Sequence, residues 1–328
     1  MDSAEYPNMA KERFCAGVAK FLEGLYLEAE EEFKEALHYD PSLPLAYCYL
    51  SIIAIERDDV EIGLRWCDKG LEVDPENGYI RYCLGAAYER KGLYEEAVRE
   101  YRAYLRDHPR DAECMFSLGC VYDQAGKMYD AIKYYKHAIS LDAGHYKACY
   151  NLALALGEQG HIPDAINFLK KTVSISPDYW KGWIKLGLFF SYEKRWQDSM
   201  NAYEKAISLR SDVADSHYNL GLCYLTSKKP RQAIKSFVEA VRLNTEDSDS
   251  LFYIAIAYLD LQEEEEAIAA LKKTLSVCLN HEKAHYLLGR LYFLRGEEAK
   301  GEKELTYLRG IASAYVSALE AYIQASIK

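Results

Sequence analysis

The chain repeats itself every 34 residues from Ala10 nearly to its end, with no residue inserted or deleted. Counting from Ala10, position 8 of successive repeats is Gly17, Ser51, Gly85, Gly119, Ala153, Gly187, Gly221, Ala255 and Gly289. Position 20 is Ala29, Gly63, Ala97, Ala131, Ala165, Ser199, Ala233, Ala267 and Gly301. Two columns made only of glycine, alanine and serine are what paired helices need where their backbones cross closely. Large residues answer them. Position 7 is Leu or Ile in eight of nine repeats, and position 24 holds Phe33, Cys67, Tyr101, Tyr135, Leu169, Tyr203, Phe237, Leu271 and Leu305.

Helix ends are marked as clearly. Gly24, Gly92, Gly126, Gly160 and Gly296 share one offset, which suits a residue of positive φ just past a helix. Pro41, Pro75, Pro109 and Pro177 stand at position 32, after the second helix. In the third repeat Asn77 is placed to cap a helix whose apolar residues Ile80, Leu84 and Tyr88 recur every four residues, and Gly92 closes it. Acidic residues such as Glu95, Glu96 and Glu263 to Glu266 open the second helices, where the helix dipole favours them.

Leu84, Gly85, Tyr88, Ala97, Tyr101 and Pro109 in the third repeat match the leucine-glycine, tyrosine, alanine, phenylalanine and proline pattern of the tetratricopeptide repeat, which the chain resembles. Ala143, Ser211, Thr245 and Leu279 depart from it in place of proline. The resemblance implies an all-α, right-handed α-solenoid of about nine helix-turn-helix repeats with a C-terminal capping helix. Residues 1–9 form a lead-in, followed by repeats at 10–43, 44–77, 78–111, 112–145, 146–179, 180–213, 214–247, 248–281 and 282–315. A last helical pattern, 310–328, overlaps the ninth repeat. Such an array grows by stacking and is expected to form one continuous domain.

Charge and composition narrow the function. A net charge of −11 argues against nucleic acid, which requires a basic face. No stretch approaches the roughly 20 apolar residues of a membrane span, and the opening residues do not read as a secretory signal. The nine cysteines are odd in number and scattered in the repeat. Cys15, Cys48, Cys83 and Cys120 are expected on equivalent helices about 10 Å apart, beyond the reach of a disulfide, so a reducing cytoplasm fits best. None of the common nucleotide, hydrolase or zinc-protease motifs occurs, so neither catalysis nor a cofactor is expected. His281 and His285 have the i, i+4 spacing of a metal pair but lack a third ligand, and His217 shares the packing position of His285, so all three are expected to be structural.

The resemblance also implies that first helices line a concave face, with ligand contacts at positions 2, 5, 6, 9 and 12. Position 5 is largely aromatic, from Phe14 to Tyr286, and either faces the groove or packs against the next repeat. Position 9 is apolar up to Arg290 and is expected to face the groove. Asn151, Lys185 and Asn219 at position 6, with Lys147 and Lys181 at position 2 and Leu154, Leu188 and Leu222 at position 9, make up the candidate peptide-binding set. An Asn amide both donates and accepts, as a peptide bond does, and the lysines would favour an acidic segment or a C-terminal carboxylate. The plainer reading is a family-typical Asn with solvated lysines. The lysine-and-asparagine combination expected of repeats that clamp chaperone C-termini is missing: Phe116 and Cys120, or Tyr150 and Leu154, stand there.

The last helix carries Ile311, Tyr315, Leu319 and Ile323 four apart, with Val316 and Tyr322 on another side. It either tucks under the ninth repeat or joins a second copy through Tyr315, Leu319, Tyr322 and Ile323. Together these features suggest a non-catalytic scaffold that takes a peptide or helix of a partner protein in its groove. Two alternatives stand beside it: a substrate-recruiting subunit of a glycosyltransferase or protease complex, and a chaperone for a secreted or assembling client.

Overall fold

A computed structural model describes residues 6–326. The first five residues of the lead-in, and Ile327 and Lys328 at the end of the last helical pattern, lie outside the described residues. The described chain is entirely α-helical and divides into two compact units.

The N-terminal unit, up to His161, holds α1 (Tyr6–Leu22), α2 (Tyr26–Tyr39), α3 (Pro44–Glu56), α4 (Val60–Val73), α5 (Gly78–Lys91), α6 (Tyr94–Asp107), α7 (Ala112–Gln124), α8 (Met128–Leu141) and α9 (Tyr146–Glu158). The C-terminal unit, from Ile162, holds α10 (Ile162–Ile175), α11 (Trp180–Tyr192), α12 (Trp196–Leu209), α13 (Ala214–Thr226), α14 (Pro230–Leu243), α15 (Ser248–Asp260), α16 (Glu264–Val277), α17 (Glu282–Leu294), α18 (Glu298–Gly310) and α19 (Val316–Ser326). Within each unit a first helix pairs with the second helix of its own repeat, which then packs on the first helix of the next. First helices also lie side by side, α3 with α5 and α11 with α13.

The small columns do what their chemistry suggests. All nine residues at position 8 and all nine at position 20 are buried. A Cβ added to Gly85 would lie 2.8 Å from the Tyr101 ring, and one added to Gly119 only 2.5 Å from Tyr135. Gly17 meets Phe33 and Gly221 meets Phe237 in the same way. Hydrogen in place of methyl is therefore what lets each ring lie flat on its partner helix.

The turn between the helices of a repeat is left-handed in all nine repeats. Gly92 has φ 77°, and Asp58, Lys194, Lys228 and Gln262 hold φ of 57–66° at the same offset. Asn77 caps α5 as its position suggests, its side chain accepting from Ile80 N at 3.1 Å. Asp111, His145, Asp247 and His281 cap first helices at the same offset.

The ends differ from the sequence expectation. α1 begins at Tyr6, so the lead-in is partly helical. The last helix begins at Val316 rather than near Gly310, because Ala312 turns the chain at φ 52° and the Ser313 hydroxyl accepts from Tyr315 N. Leu319 is wholly buried, packs with Leu305 and Leu308, and fills the space above Gly289. Tyr315 and Ile323 pack on the same cluster. Leu319 is therefore core rather than an oligomer contact: it covers an end of the hydrophobic array that would otherwise meet water.

Candidate functional site

Position 5 turns out to be mainly packing. Its rings meet those of the same and the following repeat: Phe14 with Phe33 and Tyr49, Phe116 with Tyr135 and His145, and Tyr218 with Phe237 and Tyr253. Position 9 carries no aromatic ring, and Val18, Ile52, Leu222 and Ile256 there rest partly on the core clusters. In the N-terminal unit Val18, Ile52, Ala86, Cys120 and Leu154 are all half-buried, and so are Leu188, Leu222, Ile256 and Arg290 in the C-terminal unit. Each of these side chains keeps part of its surface exposed.

The candidate set falls into two groups. Lys147, Asn151 and Leu154 lie on α9 of the N-terminal unit. Lys147 is exposed, while Asn151 is half-buried with its amide directed at the Tyr135 hydroxyl, 3.4 Å away, and the Cys120 thiol at 3.5 Å. Lys181, Lys185 and Leu188 share one side of α11 in the C-terminal unit, beside Asn219 and Leu222 on α13. Lys181 extends over the Trp180 ring, 5.6 Å from its centre, and Lys185 is half-buried. Asn219 donates 2.8 Å back to the carbonyl of Asp215 in its own helix. Both Asn donors therefore have a partner within the protein, which weakens the expectation that they reach for a peptide backbone. The basic character is clearer: residues 162–247 carry 13 Lys and Arg against 10 Asp and Glu in a chain of net charge −11.

Acidic side chains on the first-helix face of the N-terminal unit were not singled out from sequence. Glu89 accepts from the Tyr101 hydroxyl at 2.9 Å and from Gln124, and Asp123 accepts from Tyr135 at 3.2 Å. Burial raises the Glu89 carboxyl above the usual carboxylate range, with Tyr101 and Gln124 opposing it. Glu113 moves the other way, lowered chiefly by its hydrogen bond with His145.

A second recurring contact was equally invisible. The position 4 side chain donates to the carbonyl at position 32 of the preceding repeat: Tyr47 to Pro41, Arg81 to Pro75 and Trp183 to Pro177 at 3.0, 2.7 and 2.9 Å. His217 and His285 contact Ser211 and Leu279 identically, at 3.0 and 2.8 Å. These side chains satisfy a carbonyl left open past a helix end. They share no residue type, only a donor of suitable reach. His285 also contacts Glu304 through Nδ1, and His281 uses Nδ1 as a helix cap, so the pair is engaged in structure.

Cys48, Cys67 and Cys83 meet in one core cluster, and burial pushes the Cys67 thiol up to about 12. A thiol so raised is a poor nucleophile. No described helix is long and apolar enough to cross a membrane.

Comparison with known proteins agrees with this geometry. Models described as tetratricopeptide repeat match residues 65–112, 82–146 and 124–182, and the model of anaphase-promoting complex, cyclosome, subunit 3 matches residues 193–274. The C-terminal part of a TPR repeat-containing protein from Cytophaga hutchinsonii superposes with TM-score 0.62 at 16% identity, covering 72% of this chain and 97% of that one. YrrB, described as a TPR protein with an unusual peptide-binding site, gives 0.53 at 15% identity over 56% of this chain and 95% of its own. The APC/C hetero-tetramer Cut9–Hcn1 gives 0.52 at 20% identity over 85% and 55%. At these identities the superpositions speak for the fold. Taken with the 34-residue register, the glycine-on-ring crossings and the family models, they lead to one conclusion: the chain is a tetratricopeptide-repeat protein.

Proposed function

We propose that the protein is a non-catalytic scaffold whose first-helix face binds a peptide or helix of a partner protein. The observation that carries this reading is position 9: within each unit its side chains, eight apolar among the nine, are half-exposed on first helices while positions 8 and 24 are buried. Half-exposed apolar side chains in register give a ligand several shallow anchors, and aromatic neighbours offer buried area at low entropy cost. The lysines of α11 favour an acidic ligand over a basic one by charge.

Peptide display on the full chain tests this. Selected ligands should be acidic, should bind the intact protein, and should lose most of their affinity in a Leu188→Glu, Leu222→Glu variant that keeps its helical content. Ligands that bind that variant equally well would place recognition elsewhere. Turnover of a substrate by the purified chain would sink the non-catalytic reading.

A further inference from the structure

Within a repeat, position 4 of the first helix faces position 23 of the second, and the described chain fills that contact in several ways. Arg13 bonds Glu32 at 3.0 Å, Arg81 bonds Glu100 at 3.1 Å, and His285 bonds Glu304. In the second repeat Trp66 lies against Tyr47, ring centres 6.2 Å apart. In the fourth, Tyr134 stacks on Tyr122 at 5.3 Å and packs near Met115. Each time a large side chain on the second helix covers the first.

The sixth repeat breaks this rule. Position 4 is Trp183, but position 23 is Ala202. A cavity of about 540 Å³ opens there, with Val173, Trp183, Leu186, Phe190 and Ala202 around it. The indole is held in place because its N–H donates to the Pro177 carbonyl at 2.9 Å. Repeats seven and eight also have small residues at position 23, Ser236 and Ala270, but face them with His217 and Leu251 rather than an indole.

This opening is separate from the face proposed above. On a helix that turns about 100° per residue, Trp183, Leu186 and Phe190 cluster on one side of α11, and Lys181, Lys185 and Leu188 on the opposite side. Its rim is basic. Lys170 reaches over the Phe190 ring at 5.7 Å, Lys205 stands across the opening, and neither has an ion pair among the described residues. Asp198, the carboxylate at the rim, is already bonded twice by Arg195.

We infer that this opening is a docking site for a bulky aromatic side chain flanked by carboxylates, presented by a partner protein. The aromatic side chain takes the place that Trp66 or Tyr134 occupies in its own repeat, and the carboxylates meet Lys170 and Lys205. Because the indole and the Phe190 ring are already fixed, little ordering is needed on binding.

The probe is a synthetic peptide with a central phenylalanine between aspartate and glutamate pairs, titrated into the full chain while the Trp183 indole N–H signal is followed by NMR. A saturable shift of that signal is expected, weaker by about tenfold or more when the peptide's phenylalanine is alanine. Ala202→Trp should remove binding by filling the opening. Should Ala202→Trp not fold, a folded Lys170→Glu, Lys205→Glu variant must lose the acidic peptide and favour a lysine-flanked one. Absence of a saturable shift at Trp183, or affinity unchanged by both variants, overturns the proposal.

Discussion

Repeats four and six are built on one frame and finished differently. In both, a glycine of the first helix lies under a tyrosine ring of the second, Gly119 under Tyr135 and Gly187 under Tyr203. In repeat four the contact is tighter, the turn is a glycine at φ 70°, Asp111 caps the first helix, and Tyr134 covers it from outside. Repeat six has a looser crossing, Lys194 in the left-handed turn at φ 58°, no side-chain hydrogen bond capping α11, and Ala202 where the cover would be. Repeat four is finished for stability; repeat six leaves stabilising features unused and apolar surface open. Where the frame is kept but the finish is withheld, the docking site proposed above finds its room.

Unfolding experiments can break this contrast. The largest difference is expected from Gly119→Ala, whose new methyl would sit 2.5 Å from a fully buried ring, at a cost of about 2–3 kcal/mol in urea. Gly187→Ala, at 3.0 Å, should cost under about 1 kcal/mol because alanine's better helix propensity offsets part of the crowding. Equal costs would mean that the two crossings are alike.

Next comes the cap. Asp111 accepts from Cys114 N at 2.9 Å and from the Tyr104 hydroxyl at 2.6 Å, so Asp111→Ala should cost about 1–2 kcal/mol. The turn works in the opposite direction. Lys194→Gly should raise stability by about 0.5–1 kcal/mol by relieving a left-handed lysine, whereas Gly126→Lys should lower it by a similar amount. A destabilised Lys194→Gly protein would show that the lysine side chain supplies something the backbone argument misses.

The smallest expected effect is electrostatic. Burial raises the Glu89 carboxyl, so the folded state holds that proton better than the unfolded chain, and stability falls as pH rises from the ordinary carboxylate range through the raised folded value. Glu89→Gln should therefore gain stability relative to the native protein as pH rises through that window, and lose the gain in acid. A stability difference that does not vary with pH would contradict the burial argument.

The frame was legible because it repeats by residue type: small at positions 8 and 20, large at 24, glycine past the first helix. What escaped repeats by function or by shape. Asp58, Lys194, Lys228 and Gln262 adopt the same turn as the glycines, yet no rule of residue type marks them as left-handed. The position 4 donors include Tyr, Arg, Trp and His, a column without a consensus. The inward engagement of Asn151 depends on Tyr135 and Cys120 from the preceding repeat, atoms that a single column does not display. The spacing of Ile311 places the start of the last helix too early, because Ala312 and Ser313 form the turn before it.

The central claim is that the half-exposed position 9 column of the first helices is a recognition surface. Hydrogen-exchange mass spectrometry of the full chain with and without a display-selected peptide tests it most directly. The account predicts protection concentrated in first helices such as α11 and α13, lost in the Leu188→Glu, Leu222→Glu protein. Protection confined to second helices, or unchanged in that variant, would contradict it.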